Sequence, residues 1–198
     1  MFKGTKAAPG KTFSQTVAAN GGRENAFTAH DFTGYFQTLA ADRLEAVMRL
    51  EADRMTNLTL SEEDVATERE VVLEERRSRT ENEPSALLSE HVSAAQFLAL
   101  PYRIPVIGWA HEIRQLTRTD ALEFYRRYYA PDNAILIVAG DVKTADVRKL
   151  AEKYYGVIPA SGKATRNRPV EPPQIAARRV ELRDDRVRQP AWRRTYTA

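Results

Sequence analysis

The sequence contains no cysteine, which excludes disulfide bridges and every thiolate-held metal. A metal in this protein must fall to His, Asp or Glu. Histidine is scarce as well: only His30, His91 and His111 are present, and none stands four residues from another. The chain therefore cannot place two imidazoles one turn apart on a helix. His30 follows a strand-like run and His111 lies in a loop, so either reads as an exposed turn residue. His91 lies on a helix with apolar neighbours and reads as structural. Long apolar runs are missing too, since none approaches the about 20 residues that cross a bilayer. Met1-Phe2-Lys3-Gly4-Thr5 is followed by polar, Gly and Pro residues, without the apolar core of a signal peptide. Nor is there a field of one sign: 30 basic and 27 acidic side chains leave a net charge of +3. The two signs are interleaved along most of the chain. The basic excess lies late, in Arg178, Arg179, Arg183, Arg186, Arg188, Arg193 and Arg194, and reads as a solvated strand face. A nucleic-acid partner, which needs a clustered basic patch, is not expected.

What is present is an ordinary globular balance, 198 residues with 42% apolar and 29% charged side chains, enough for one domain with a core. Residues 12–20 read as a helix, with Thr12 or Ser14 as its cap and Gly21-Gly22 as its stop. Glu24 to Thr28 and Thr33 to Leu39 are strand-like and closely linked, as in neighbouring antiparallel strands. Leu44, Val47, Met48, Leu50 and Met55 share one helical stripe. Ser61 caps a long helix that carries Glu62, Glu63 and Asp64 in its first turn and runs to about Thr80. Another helix starts at Pro84. Thr119-Asp120 opens a helix through Tyr129. Ala134 to Ala139 is a continuous apolar run suited to a strand buried on both faces. Residues 145–155 form a helix stopped by Gly156. Pro159 to Pro173 reads as linker, and two further strands are expected near Arg178–Leu182 and Gln189–Thr195. There is no short-period repeat. The sum is an α/β fold with a mixed, largely antiparallel sheet and helices packed on it.

One segment could carry chemistry: Glu68-Arg69-Glu70-Val71-Val72-Leu73-Glu74-Glu75. Glu68 and Glu75 are seven residues apart, about two helical turns, so both carboxylates share a face. Glu62, Glu63, Glu70 and Glu74 crowd the same helix, and by pattern alone a solvated acidic face is the better reading.

The chain also resembles a known family over nearly its whole length, in order and at compatible spacing. The residues that carry the resemblance are Met-Phe-Lys-Gly-Thr at 1–5, Asn-Gly-Gly-Arg-Glu-Asn-Ala-Phe-Thr at 20–28, and Asp31 with Thr33, Tyr35 and Phe36. They continue in Leu50-Glu51-Ala52-Asp53-Arg54-Met55, the 68–75 run, Pro105-Val106-Ile107-Gly108, residues 124–133, and Val138-Ala139-Gly140-Asp141. These are similar to landmarks of the insulinase, pitrilysin and mitochondrial-processing-peptidase family of zinc metallopeptidases, above all its bacterial members. The resemblance implies an α+β roll, one half of a two-lobed peptidase. It implies zinc held by an inverted His-x-x-Glu-His motif plus a downstream Glu, with the motif's own Glu as general base on zinc-activated water. The downstream ligand aligns with Glu75. Glu68 aligns with a second acidic residue that orients a ligand or tunes the metal. Asn25, Ala26 and Phe27 align with an edge strand to which a peptide substrate adds as a further strand; from the residues alone a paired internal strand is the simpler reading.

The His-x-x-Glu-His motif belongs just before the Met-Phe-Lys-Gly-Thr stretch, so both His ligands and the general base are expected upstream of Met1, and no catalytic residue is expected in this chain. Both ends read as cuts through a longer protein. The expected organisation is a peptidase-type domain over 1–160, with a second conserved region from near 115, a linker over 161–174, and final strands or a connection over 175–198. The resemblance implies a zinc-dependent endopeptidase, here as a piece that is inactive alone. The alternative is a non-catalytic partner or structural subunit of the same family. Expected partners are a peptide or unfolded-protein substrate and a second homologous half, in the same chain or in another subunit. The compartment is left open between periplasm or exterior, if an upstream signal peptide exists, and cytoplasm. The loss of the first strands would expose a sheet edge, so association or poor solubility is expected of the chain alone.

Overall fold

A computed structural model describes residues 3–197; Met1 and Phe2 of the opening motif and Ala198 of the closing run lie outside them. The chain divides into two compact units that interleave in sequence. The first comprises residues up to Thr28, Phe32–Ala66 and Thr117–Arg166; the second comprises Ala29–Asp31, Thr67–Leu116 and residues from Asn167 onward.

In the first unit, α1 (Thr12–Ala19) buries Phe13 and Val17. It stops where Gly21 takes a positive φ of 70° and Gly22 N–H donates back to the Val17 carbonyl at 2.9 Å, a closure that glycine permits without Cβ strain. Strands β1 (Arg23–Thr28) and β2 (Thr33–Thr38) pair antiparallel, with Ala26 opposite Tyr35 and Phe27 opposite Gly34. The expected hairpin is therefore present. Helix α2 (Leu44–Asn57) turns Val47, Met48 and Leu50 inward, and Ala8, Phe13, Val17, Val47 and Leu50 form one core with Leu39 packed against it. Helices α6 (Arg118–Tyr128) and α7 (Thr144–Tyr154) complete the unit. A capping box opens α6: Asp120 N–H donates to the Thr117 hydroxyl oxygen, and Thr117 N–H donates back to the Asp120 carboxylate at 2.8 Å.

Helix α3 (Glu62–Arg76) begins in the first unit, continues in the second, and runs on as a π-helical turn, Arg77–Glu81. Ser61 caps it as expected, its hydroxyl oxygen accepting from Asp64 N–H at 3.0 Å while its own N–H donates to the Asp64 carboxylate at 2.9 Å. Helix α4 (Pro84–Gln96) starts on its proline, and the short α5 covers Ala110–Ile113. No helix among the described residues is long and apolar enough to cross a membrane.

The architecture is α/β, dominated by helices, with an antiparallel sheet of two strands. Three expected strands differ. Residues 134–139 carry no regular secondary structure and have no ladder partner among the described residues. Far from being buried on both faces, Ile135 is 87% and Ile137 81% exposed. The runs near 178–182 and 189–195 likewise carry no regular secondary structure. A strand is completed only when a neighbour satisfies its N–H and C=O groups. The apolar pattern supplies propensity but not that neighbour.

Candidate metal centre

Glu68 and Glu75 both lie on α3, where their spacing places them two turns apart on one face. Glu68 is exposed and Glu75 is half-buried. Glu75 forms an ion pair with Arg79, one turn further on, at 2.7 Å.

The residue after Glu75 fixes this part of the helix. Arg76 is only 5% exposed. Its guanidinium donates to both carboxylate oxygens of Glu90 on α4, at 2.7 and 2.8 Å, and to the Gly108 carbonyl at 2.9 Å. Glu81 approaches it at 3.4 Å and the Trp109 ring lies under it at 5.9 Å. The hydrogen bonds to Glu90 push the Arg76 pKa further up, against the opposing effect of burial, so the guanidinium stays charged. A planar fork bound at two points fixes rotation as well as distance. The rotational setting of α3 at Glu75 is thereby tied to α4.

Asn25, Ala26 and Phe27 occupy the middle and end of β1 in the first unit. Asn25 and Phe27 point to the exposed face, and Ala26 lies on the more buried one. The Ala26 N–H is accepted by the Asn25 side-chain oxygen at 2.8 Å. The Phe27 ring covers Gly34 opposite, where an added Cβ would strike it, and meets the Phe32 ring edge-on at 5.7 Å. Among the described residues β1 pairs on one side only, with β2.

Beneath the hairpin the same unit holds a buried polar cluster. Arg54, 2% exposed, reaches both Glu51 oxygens at 2.6 Å. It is sandwiched between the rings of Phe13 and Tyr35 at 4.7 and 4.9 Å. Gln37 donates to Glu51 at 2.5 Å, and the Tyr35 and Tyr129 hydroxyls lie 2.6 Å apart. Burial, first of all, pushes the pKa values of Tyr35, Tyr129 and Tyr155 up. These phenols are neutral at any ordinary pH.

The histidines do not converge on the acidic face. His30 is exposed and stacks edge-on against Tyr102 at 5.2 Å. His111 is exposed, and His91 is exposed on α4 rather than packed in a core. No group of three or more His, Asp or Glu able to hold a metal exists among the described residues. Among the described residues, then, α3 presents carboxylates without a cluster of three donors around them.

The sequence pattern points to Glu68 and Glu75 but not to the buried pairs Arg76–Glu90 and Arg54–Glu51. The signal was there in outline. Arg54 continues the buried stripe of Val47 and Leu50, and a charge on such a stripe demands a buried partner. The partner's identity is a tertiary fact.

Comparison with known proteins places the whole chain. Residues 1–108 match the family model described as insulinase, peptidase family M16, and residues 115–194 match that of the peptidase M16 inactive domain. The chain is 36% identical over 154 residues to the zinc protease PqqE of Helicobacter pylori, an alignment that takes in 78% of this chain and 35% of that protein. Its fold is similar to the crystal structure of a protease from Helicobacter pylori, with a TM-score of 0.76 and 34% identity, covering 86% of this chain and 42% of that one. It is also similar to the first half of the periplasmic protease PqqL from Escherichia coli, with a TM-score of 0.72 and 26% identity, covering 85% of this chain and 37% of that one. The chain thus spans about a third of the length of the curated relative, and the likeness is to one half of a two-lobed peptidase. On these grounds the chain belongs to the insulinase family of peptidases, family M16.

Proposed function

We propose that the protein is part of a zinc-dependent endopeptidase and that its contribution to the metal is Glu75, with Glu68 as the companion carboxylate that tunes or orients the site. The observation that carries this reading is the pair of carboxylates two turns apart on α3, in a helix whose setting is tied down by the forked bond between Arg76 and Glu90. A ligand is useful to a metal only where its position is fixed in advance. The two imidazoles and the general base come from residues outside these 198, because the chain contains no His-x-x-Glu-His motif. Asn25, Ala26 and Phe27 serve as the edge to which a peptide substrate adds, and a second homologous half completes the enzyme.

On this reading the chain by itself neither holds zinc tightly nor hydrolyses peptides, since one carboxylate is too few donors for a zinc site. Zinc stoichiometry of the purified chain, measured by native mass spectrometry, tests it. The expected result is a metal-free chain after dialysis; one zinc retained per chain would overturn the proposal.

A further inference from the structure

Residues 167–178 have no regular secondary structure, yet they are attached to the second unit at several polar points. The Glu171 carboxylate accepts three successive backbone N–H groups, from Leu98 at 2.6 Å, Ala99 at 3.0 Å and Leu100 at 2.9 Å. These amides follow the end of α4 and have no helical carbonyl to reach. A run of amides aimed at one point is a concave anion seat. Seven residues later, Arg178 donates to the Ala95 and Gln96 carbonyls at 2.6 and 2.8 Å, at the negative end of the same helix. The Gln174 side-chain amide also donates to the Gln96 carbonyl. Upstream, Arg168 approaches Asp31 at 3.6 Å, and the Tyr102 hydroxyl donates to the same carboxylate at 2.8 Å.

The attachment is polar and not apolar. Val170 is 88% and Ile175 96% exposed, so burial contributes little to holding the segment down. Its hold therefore depends on charge, with Glu171 reading the amides and Arg178 reading the carbonyls of one helix end. Pro172 and Pro173 follow Glu171 directly, and their fixed φ angles reduce the freedom lost when the carboxylate docks.

We propose that residues 167–178 form a releasable strap on the second unit, clasped by Glu171 in the amide seat of Leu98–Leu100 and by Arg178 on the C-terminal carbonyls of α4. The strap is a conformational device: when the Glu171 charge is lost, the segment lifts, and the three amides and the end of α4 open to solvent together. Because the clasp is made in two halves on one helix end, loosening either half loosens the other.

Hydrogen exchange of the full chain, read by mass spectrometry on the peptide containing residues 97–101, tests this. Glu171→Ala is expected to raise exchange at Leu98, Ala99 and Leu100 roughly tenfold or more, as loss of charge-assisted hydrogen bonds implies. Cleavage by trypsin after Arg178 should rise in parallel, while peptides from α2 exchange as in the parent chain. Glu171→Gln, which keeps an acceptor oxygen but no charge, should fall between the two. Added formate should slow the exchange of Glu171→Ala at these amides by refilling the seat, and chloride at equal ionic strength should not. Arg178→Met is expected to raise exchange at the same three amides. Unchanged exchange in Glu171→Ala, or faster exchange spread evenly into α2, would overturn the strap. Full protection of the three amides in Arg178→Met would overturn the joint clasp.

Discussion

Arg76 shows how a single side chain converts a surface helix into a positioned one. With Arg76 and Glu90 side chains each 6% exposed, the pair has paid desolvation on both sides and is held by a two-point bond. Removing one partner leaves the other buried and unpaired, which costs roughly 3–5 kcal/mol. Glu90→Gln is therefore expected to destabilise the second unit by about 3 kcal/mol, seen as a lower urea midpoint in the fluorescence of Trp109, whose ring lies against Arg76. A midpoint unchanged from the parent would show that the pair does not anchor α3. Arg54 plays the matching part in the first unit, gripping Glu51 between two aromatic rings. Neither arginine could be assigned its role from the sequence, because each partner is chosen by how helices pack. The placement of Glu75 beside Glu68 on one helix face was legible for the opposite reason: it rests on spacing along a single helix.

Elements were legible where their signals are local. Ser61 with Asp64 and Thr117 with Asp120 are reciprocal caps; the first was legible at Ser61, while the second helix is capped at Thr117, two residues before the expected Thr119. Ser61→Ala is expected to cost about 1 kcal/mol of stability by the usual worth of an N-cap. Hydrogen bonds from Ser61 hold the Asp64 carboxyl below the ordinary 3.8. The Thr117 hydroxyl and N–H do the same for Asp120. Both folded values lie below the unfolded ones, so the caps contribute in full above the unfolded value near 3.8 and are lost as pH falls through the folded values. An acid titration followed by circular dichroism should show helicity falling below about pH 4, with a weaker pH dependence in the Ser61→Ala, Thr117→Ala double variant; identical acid limbs would contradict it. Strands fared less evenly. The β1–β2 hairpin closes with its neighbour only a few residues away, so its two runs find each other. Residues 134–139 have the composition of a strand and no neighbour among the described residues, and composition alone could not reveal that.

At the scale of the whole molecule, the apolar run 134–139, without a ladder partner among the described residues, bears on behaviour in solution. Residues 134–139 carry no charge and no proline, and Ile135 and Ile137 stand in water. Such an edge is a template for pairing between chains. The chain is expected to associate as its concentration rises, and Ile137→Lys should shift light-scattering mass toward the monomer; a parent chain that stays monomeric throughout would refute this. The sequence by itself determined the helices, the hairpin, the resemblance to the insulinase family and the two glutamates on α3, because each rests on periodicity, capping or contiguous motif. It also determined that no two histidines stand one helical turn apart, since His30, His91 and His111 are dispersed. Only the tertiary structure decided which charges are buried together, which strand-like runs lack a partner, and that Glu171 is clasped by the amides beyond α4. Those outcomes depend on contacts between residues far apart in the chain, and local pattern carries no information about the neighbour that satisfies a buried charge or an open backbone.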